Sequence, residues 1–302
     1  MNALAWEKKG ILIPGVGHSS WRASHAALPV AYPLDKNRYR IYFCSRDGQN
    51  RARIGYATVD FSARAPAIVE APDSVLDLGS LGCFDDNGVT LSCLTAYEGA
   101  LYLYYTGWTR TSTVAFQLFS GLAISQDNGL TFARASQAPI LERTAQEPFL
   151  NASPYVLVEG NLWRMWYVSG EGWLAPGVPR YNIKYAESQD GIHWLREGHV
   201  CIDFASDAEY ALARPCVLHD RDGYRMWFCA RGAVYRLGYA QSSDGIHWQR
   251  RDAVAGLTVS DAGWDSQMVA YPFVFKHQGE YVMLYNGNDY GRTGIGWAIG
   301  RA

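Results

Sequence analysis

The amino-acid sequence predicts an all-β fold built from repeats, on three observations. Aromatic residues make up 14% of the 302 residues, with 11 Trp and 20 Tyr, and the chain also contains 30 glycines. Aromatic residues favour strands, and glycines favour the tight turns between them. Short aromatic and apolar runs bounded by turn residues recur along the chain, and helical periodicity is nowhere sustained.

Three sequence markers share one period. An aromatic motif starts at Tyr42, Tyr104, Trp166, Trp227 and Leu284, in steps of 62, 62, 61 and 57 residues. A β-type run precedes each motif and is led by Pro29, Leu91, Pro154, Pro215 and Pro272. A third marker follows each motif and ends in Ala57, Ala123, Ala186, Ala240 and Ala298. Agreement between three markers indicates a fivefold structural repeat.

A hairpin turn follows the third strand of a repeat. Asp-Gly at positions 190–191 and 244–245, and Asn-Gly at 128–129, readily supply the positive φ angles of such a turn. The segment 125–132 also fits the Asp-box turn of propeller blades. His193 and His247 occupy one equivalent slot, so we expect them to serve the turn rather than catalysis.

Four strands per repeat and five repeats predict a five-bladed β-propeller. The last repeat stops after its third strand, at Ala298, while residues 6–12 resemble the start of a fourth strand at 194–200. We therefore expect the N-terminal strand to close blade five and leave no free edge. No linker-like stretch interrupts the chain, so residues 1–302 are expected to form a single domain.

Charge and composition exclude several classes of protein. The formal net charge is −2, which predicts no nucleic-acid surface, and no apolar stretch is long enough to span a bilayer. The first residues lack the apolar core of a signal peptide, which favours a cytoplasmic location. The six scattered cysteines are expected to be buried free thiols. No zinc spacing or nucleotide-binding motif is present, so neither a metal nor a cofactor is expected.

The candidate site follows from the repeat positions. In a propeller the first strand of each blade lines the central channel, and the loops entering it at one mouth build the ligand site. Asp86, Glu209 and His25 are the candidate catalytic residues there. The candidate substrate-binding residues at the same mouth are Asp85, Asn87, Arg46, Asp47, Trp108, Glu171, Arg214, Arg231, Asp265, Asn286 and Asn288. Carboxylates and amides bind sugar hydroxyls, and Trp faces stack on sugar rings. The alternative is that carboxylates pair with Arg214, Arg231 or Arg46 to hold blades together.

The repeats resemble the five-bladed propellers of glycoside hydrolase families 43, 32, 68 and 130. The resemblance lies in the aromatic second strands and the turns at 125–132, 188–194 and 243–248, and it covers nearly the whole chain. A tighter match is to a "glycosylase" group found among bacterial surface-polysaccharide genes. The segments that carry this match are 24–26, 41–47, 84–88, 213–215, 264–266 and 285–288.

The resemblance implies a glycosidase-like protein of polysaccharide metabolism, but two catalytic positions depart from family 43. Leu28 stands where the family has its base Asp, and Ser153 precedes the blade-three Pro where no Glu is found. Glycosidase chemistry needs an acid and a base on opposite sides of the scissile bond. Asp85 or Asp86 paired with Glu209 is the possible replacement, with His25 as a proton carrier.

Two hypotheses of function stay open at this point, and a protein-binding scaffold is a third, weaker one. The first is an enzyme acting on a glycoside or activated sugar, with Arg214 holding a negative group. The second is a propeller that binds a carbohydrate or nucleotide sugar without catalysis. A deep acidic pocket would suit the enzyme, and a shallow groove would suit the binding protein.

Overall fold

The protein is nearly all β. A computed structural model describes residues 4–17, 19, 21–63 and 65–301. Twenty strands lie within these ranges, together with a 3₁₀ turn at Asp252–Val254 and one short helix, α1 (Asn288–Gly291).

The strands form five four-stranded units. In each unit we call the first strand the inner strand and the fourth strand the outer strand. Unit one contains β2 (Ser24–Pro33), β3 (Arg38–Arg46), β4 (Ala52–Asp60) and β5 (Ala67–Glu70). Unit two contains β6 (Gly88–Tyr97), β7 (Ala100–Arg110), β8 (Phe116–Ser125) and β9 (Ala133–Arg134). Unit three contains β10 (Asn151–Glu159), β11 (Leu162–Ala175), β12 (Val178–Ser188) and β13 (Val200–Ile202). Unit four contains β14 (Ala211–Asp220), β15 (Gly223–Arg231), β16 (Tyr235–Ser242) and β17 (Gln249–Arg250). Unit five contains β18 (Ala270–His277), β19 (Glu280–Asn286), β20 (Gly294–Arg301) and β1 (Ala5–Pro14).

Pairing within each unit is antiparallel, and a single parallel pair joins neighbouring units at two places. Ala52 pairs with Gly88 between units one and two, and Tyr181 pairs with Ala211 between units three and four. In unit five the N-terminal strand β1 pairs with β20, from Ala5 opposite Arg301 to Pro14 opposite Gly294. Strands from the two ends of the chain therefore lie in one sheet.

Every inner strand is interrupted by a bulge near its start. In four units the residue just before the strand proline has a left-handed backbone: φ is 58° at Leu28, 49° at Ser153, 57° at Arg214 and 56° at Tyr271. This conformation is unfavourable for residues other than glycine, and bulges commonly re-aim a side chain beside a functional site. The bulges therefore lie at equivalent positions of the five units, near the start of each inner strand.

The aromatic motif that defines the repeat ties each unit to the next. Tyr42 Oη donates to Gly129 O at 2.7 Å, Tyr104 Oη to Gly191 O at 2.8 Å, and Trp166 Nε1 to Gly245 O at 2.8 Å. Each acceptor lies in the hairpin turn of the following unit. In unit four Trp227 instead packs edge-on against Trp6 of β1, with 6.3 Å between ring centroids.

The hairpin turns are organised by their aspartates. Asp190 accepts hydrogen bonds from the backbone N–H groups of Ile192 and His193, each at 2.8 Å, and from His193 Nδ1 at 2.7 Å. Asp244 and His247 repeat this arrangement. These donors keep the pKa of both carboxyls well below the ordinary value. Both histidines thus serve the turns, as the sequence pattern indicates.

The core is a continuous cluster of aromatic and aliphatic side chains between the units, with Trp163, Trp166 and Trp227 almost fully buried. In the ranges that the structure describes, no helix has the length and apolar character needed to cross a membrane.

Replacing Gly191 by Val is expected to lower the free energy of unfolding by roughly 2–4 kcal/mol. Gly191 has a φ of 73°, and a Cβ there would lie 2.7 Å from the Trp163 ring and 2.8 Å from Tyr104 Oη. Gly48→Val is the matched control, because no atom lies within 4 Å of a Cβ at that position. Chemical denaturation measures the free energy of unfolding of both variants. Equal values for the two would contradict the role of the turn.

Candidate functional site

A cavity of about 310 Å³ lies where the inner and third strands begin and the second strands end; we call it the central cavity. Its aromatic lining comprises Trp108, Phe116, Tyr181, Tyr235, Tyr271 and Tyr290. Its other polar lining comprises His25, Cys44, Arg46, Thr90, Thr106, Ser153 and Arg231. A side cavity of about 180 Å³ shares Arg46, Thr90 and Trp108 with it and adds Asn87 and Arg110.

The structure brings five of the predicted site residues to these two cavities. His25, Arg46, Trp108 and Arg231 line the central cavity, and Asn87 lines the side cavity. They come from units one, two and four, so residues distant in the chain do meet here. The remaining predicted residues are not among the residues that line either cavity, and each has another environment.

Three of the predicted carboxylates belong to an ion pair that recurs in every unit, which we call the unit clasp. It joins a residue just before the inner strand to a residue at the outer strand of the same unit. The five clasps are Arg22–Glu70, Asp85–Arg134, Glu147–Arg196, Glu209–Arg250 and Asp265–Lys8. In unit one the charges are reversed: Arg22 precedes the inner strand, and Glu70 lies in the outer strand.

The second aromatic residue of the repeat motif completes the clasp. Tyr105 Oη donates to Asp85 at 2.9 Å, Tyr167 Oη to Glu147 at 2.7 Å, and Tyr285 Oη to Asp265 at 3.1 Å. Burial raises the pKa of all three tyrosines, which keeps them protonated donors. In units one and four the motif has Phe43 and Phe228, and the clasp arginine lies over the ring instead.

The structure does not bring the predicted group of His25, Asp86, Glu209 and Arg214 together in one cavity. Of these four residues, His25 lines the central cavity. Glu209 accepts two hydrogen bonds from Arg250, at 2.8 and 3.0 Å, and one from Ala205 N at 2.8 Å. Asp86 accepts from Gly82 N at 3.0 Å within its own loop. Both carboxylates are thus used locally, and this geometry gives no support to an acid–base pair across the central cavity.

Arg214 lies beneath the cavity rather than in it. Its side chain is almost fully buried, and Nη1 donates to Leu91 O at 2.7 Å and to Ser92 O, while Nη2 donates to Leu28 O at 3.1 Å and Pro29 O at 3.2 Å. Burial lowers the pKa of this guanidinium. Arg214 therefore links the inner strands of units one, two and four through carbonyl oxygens, and it is not among the residues that line the central cavity, where the sequence pattern predicts it to hold a negative group.

The other four predicted binding residues also have structural partners. Asp47 pairs with Arg51 at 2.9 Å and with Arg53 at 2.5 Å in a hairpin turn, and Glu171 pairs with Lys184 at 2.9 Å. Asn286 and Asn288 bind backbone groups: Asn286 Nδ2 donates to Ala26 O and Gly294 O, and Asn288 Oδ1 accepts from the Gln267 and Met268 N–H groups.

His25 lines the cavity as a neutral imidazole at pH 7. Burial is the main cause that lowers its pKa to about 4, and the positive charges of Arg46 and Arg292 act in the same direction. Asp289 has the opposite, smaller effect. The ring can therefore accept or donate one hydrogen bond to a ligand.

Sequence reasoning missed the tyrosines of the cavity. Tyr181 Oη and Tyr235 Oη form a 2.5 Å hydrogen bond, and the ring centroids of Tyr235 and Tyr271 lie 5.8 Å apart. Tyr271 could have been found, because it precedes Pro272 in the same slot as Leu28 and Ser153. Tyr235 is the first residue of a third strand and Tyr181 lies near the start of another, and these strand starts carried no marker of a site.

Four of the five inner strands meet the cavity at the residue before the strand proline or at its counterpart. The five units place Leu28, Thr90, Ser153, Arg214 and Tyr271 there. Four of these residues line the central cavity, and none of the five is a carboxylate. The cavity thus offers hydroxyl groups, ring faces and cations. Within the described residues, no three His, Cys, Asp or Glu side chains are grouped as metal ligands.

Several solved structures that resemble this fold are titled as glycoside hydrolases. A protein titled "Glycoside hydrolase" superposes with a TM-score of 0.78 at 17% identity, covering 98% of this chain and 92% of that one. A thermostable family-43 glycoside hydrolase gives a TM-score of 0.67 at 16% identity, over 95% and 90% of the two chains. The Bombyx mori GH32 β-fructofuranosidase BmSUC1 gives 0.69 at 13%, over 97% and 61%. These are five-bladed β-propeller folds, and the protein shares the fold of the propeller glycoside hydrolases.

Sequence relatives are found in Mycobacterium tuberculosis. The proteins named "Uncharacterized protein MT1551", from strain CDC 1551 / Oshkosh, and "Uncharacterized protein Rv1502", from strain ATCC 25618 / H37Rv, are each 41% identical to this chain over 298 residues. The match covers 98% of this chain and 99% of each relative, and the chain belongs to their family. The chain matches no protein-family model.

Glu209→Gln tests the clasp against a catalytic role. Loss of the carboxylate leaves Arg250 with only Asp252 as an anionic partner, so we expect unfolding to require about 1–3 kcal/mol less free energy. Asp86→Asn, which disturbs one backbone hydrogen bond, is the matched control and should change stability by less than about 1 kcal/mol. If Glu209→Gln unfolds at the same denaturant concentration as the parent protein, the clasp of unit four does not stabilise the fold.

His25→Asn tests the neutral imidazole, since Asn tolerates the φ of 66° at this position. A folded-state pKa of about 4 lies below the ordinary value of 6.5, so the unfolded chain binds the proton first as the pH falls. His25 therefore reduces the stability between about pH 6.5 and 4. We expect the melting temperature of the parent protein to fall more between pH 7 and 5 than that of the variant. Parallel pH profiles would show that His25 is not held neutral.

Proposed function

We propose that the five units are the blades of a closed five-bladed propeller and that residues 1–302 form one domain. The pairing of β1 with β20 supports closure by the N-terminal strand. Asn286 of unit five also accepts a hydrogen bond from Leu28 N at 2.9 Å and donates to Ala26 O at 2.7 Å in unit one. The side chain of Asn286 therefore joins the last unit to the first, and β1 completes the sheet of the last unit.

We propose that this protein is carbohydrate-active and that it binds a sugar in the central cavity. The observation that carries the proposal is the lining of that cavity: ring faces of Trp108 and four tyrosines beside hydroxyl groups of Thr90 and Ser153, at the point where the inner strands begin. A sugar ring presents apolar faces and polar edges, and such a lining can contact both. The shared fold with glycoside hydrolases is consistent with this ligand class.

Sugar recognition without a carboxylate pair is the function that the geometry supports best. Hydrolysis by two carboxylates needs an acid and a base that face the scissile bond. The residues at the start of the inner strands supply neither, and Glu209 is engaged by Arg250. Binding needs only the ring faces, the hydroxyl groups and the cations that the cavity contains.

A sugar-processing enzyme is the second candidate, and one observation favours it. His25 and the Tyr181–Tyr235 pair line the same cavity, and the 2.5 Å contact between the two hydroxyl oxygens provides a path for a proton. Imidazole and phenol groups can act as general acids and bases. On this proposal they take the place of the missing carboxylates.

A cytoplasmic role in polysaccharide metabolism remains part of the proposal. All six cysteines are free in the structure, and five of them are buried. Cys44 and Cys93 accept hydrogen bonds from backbone N–H groups of the neighbouring inner strand, at 2.8 and 3.3 Å. Thiols used in this way suit a reducing compartment.

Blocking the cavity tests the proposed function. Gly177 lines the cavity, and a Cβ there would have no atom within 4 Å, so Gly177→Trp can fill space without backbone strain. Gly48→Trp adds the same side chain outside both cavities and is the matched control. Thermal shift is measured against monosaccharides, oligosaccharides and nucleotide sugars, since a ligand that binds the folded state raises its melting temperature.

We expect the parent protein and Gly48→Trp to respond to the same sugars, and Gly177→Trp and Trp108→Ala to lose most of the response. Chromatography of the ligand after incubation separates the two candidates, because binding leaves the sugar unchanged and catalysis does not. A sugar response that survives in both cavity variants, or no response from the parent protein to any sugar, would contradict the proposed function.

A further inference from the structure

The two cavities concentrate positive charge in a chain whose formal net charge is −2. Arg46 and Arg231 line the central cavity, and Arg46 and Arg110 line the side cavity. None of the described residues that line either cavity is Asp or Glu. The carboxylates of the unit clasps are bound to cations of their own units, so they do not pair with the arginines of the cavity walls.

Arg231 is held by aromatic rings instead of an anion. Its guanidinium carbon lies 5.4 Å from the ring centroids of Tyr210 and Tyr235 and 5.7 Å from that of Tyr290. Its Nε is buried and has no hydrogen-bond partner among the described residues. Ring faces stabilise a cation without using its N–H groups, so the donors of Arg231 stay available to a ligand.

Arg46 also keeps donors available. Nη1 donates to Asn50 Oδ1 at 3.0 Å, and within the described ranges no carboxylate lies in ion-pair range of this guanidinium. Burial lowers its pKa. The clasp arginines of the same fold differ: Arg134, Arg196 and Arg250 each bind a carboxylate at 2.7–2.8 Å. Arg46 and Arg231 therefore differ from the clasp arginines, because neither has a carboxylate partner among the described residues.

A half-buried guanidinium without an anion is unfavourable, and such groups are typical of binding sites. Arginine also presents several N–H donors in a planar fork that matches the oxygens of a carboxylate or phosphate. His25 adds no charge at pH 7, and Asp289 and Arg292 near it have opposite charges. The described side chains that line the cavity therefore carry a net positive charge at pH 7.

We propose that the ligand of the central cavity is an anionic sugar, one that carries a covalently attached carboxylate or phosphate, with Arg46 and Arg231 binding the anionic group. This rests on the proposed function that the cavity binds a sugar. Tyr235 lies against the Arg231 guanidinium and packs against Tyr271, and the rings of these tyrosines, of Trp108 and of Tyr290 contact the sugar.

Matched sugar pairs test the proposal by calorimetry. D-glucose is compared with D-glucuronate, which adds a carboxylate, and with glucose 1-phosphate, which adds a phosphate. We expect at least one anionic member to bind roughly tenfold or more tightly than glucose, and its affinity to fall as salt is raised. Whichever anion binds more tightly identifies the source of the charge. Inorganic phosphate alone should bind far more weakly than glucose 1-phosphate.

Charge-removing variants locate the anion. Arg46→Gln and Arg231→Gln should each reduce the preference for the anionic member by roughly tenfold, while Arg301→Gln, an exposed arginine paired with Glu280, should keep it. Without ligand, Arg231→Gln should melt within a few degrees of the parent protein, because it loses contacts with tyrosine rings but no ion pair among the described residues. Arg250→Gln should melt lower, since it breaks a clasp.

The outcomes separate this inference from the proposed function. Equal binding of neutral and anionic sugars, lost in Gly177→Trp but unchanged in Arg46→Gln and Arg231→Gln, would overturn the anionic ligand and leave the sugar site standing. Binding of inorganic phosphate as tight as that of glucose 1-phosphate would overturn the sugar component. Binding that persists in Gly177→Trp would contradict the cavity itself and with it the proposed function.

Discussion

One ion pair per unit connects the edge of each sheet to its centre, and the rest of the structure depends on it. The clasp joins the segment that enters an inner strand to the outer strand, so it spans all four strands of a unit. In units two, three and five a tyrosine of the second strand donates to the same carboxylate from within the core. A buried carboxylate is stable only when such partners are present. The clasp therefore sets where each inner strand starts.

The clasps also determine what the cavity contains. In units two to five the clasp carboxylate that precedes the inner strand is bound by a cation of its own unit. Arg46 and Arg231 lie at the ends of second strands and have no counterpart in this scheme, so their charge faces the cavity. A fold shared with glycoside hydrolases thus presents cations and phenol groups at its centre instead of a carboxylate pair.

Backbone geometry concentrates the site at one level of the fold. The bulge in each inner strand places Leu28, Ser153, Arg214 and Tyr271 in left-handed conformations at equivalent points. Three of these side chains line the cavity, while Arg214 donates to carbonyl oxygens of units one and two beneath it. Arg214 thus couples units one, two and four through carbonyl oxygens, and the unfavourable φ angles are maintained by the strands on either side.

The sequence alone determined the repeat, the strand pattern and the all-β class, because a residue that packs between units recurs wherever a unit recurs. Tyr42, Tyr104 and Trp166 are visible as a periodic motif for that reason: each performs the same hydrogen bond to the next turn. The same logic correctly assigned His193 to a turn. Five of the predicted site residues reach the two cavities, since strand ends and loop positions follow from the period.

Only the tertiary structure decided which polar residues face the cavity. Asp85, Glu209 and Asp265 occupy equivalent positions in the repeat. Such positions can hold either ligand-binding residues or structural ion pairs, because the sequence does not determine the direction of a side chain. Their partners Arg134, Arg250 and Lys8 lie between 41 and 257 residues away, so the pairing exists only after the strands have assembled. Tyr181 and Tyr235 reach the cavity for the converse reason. They carry no periodic signal, and the packing of third strands around the centre brings them there.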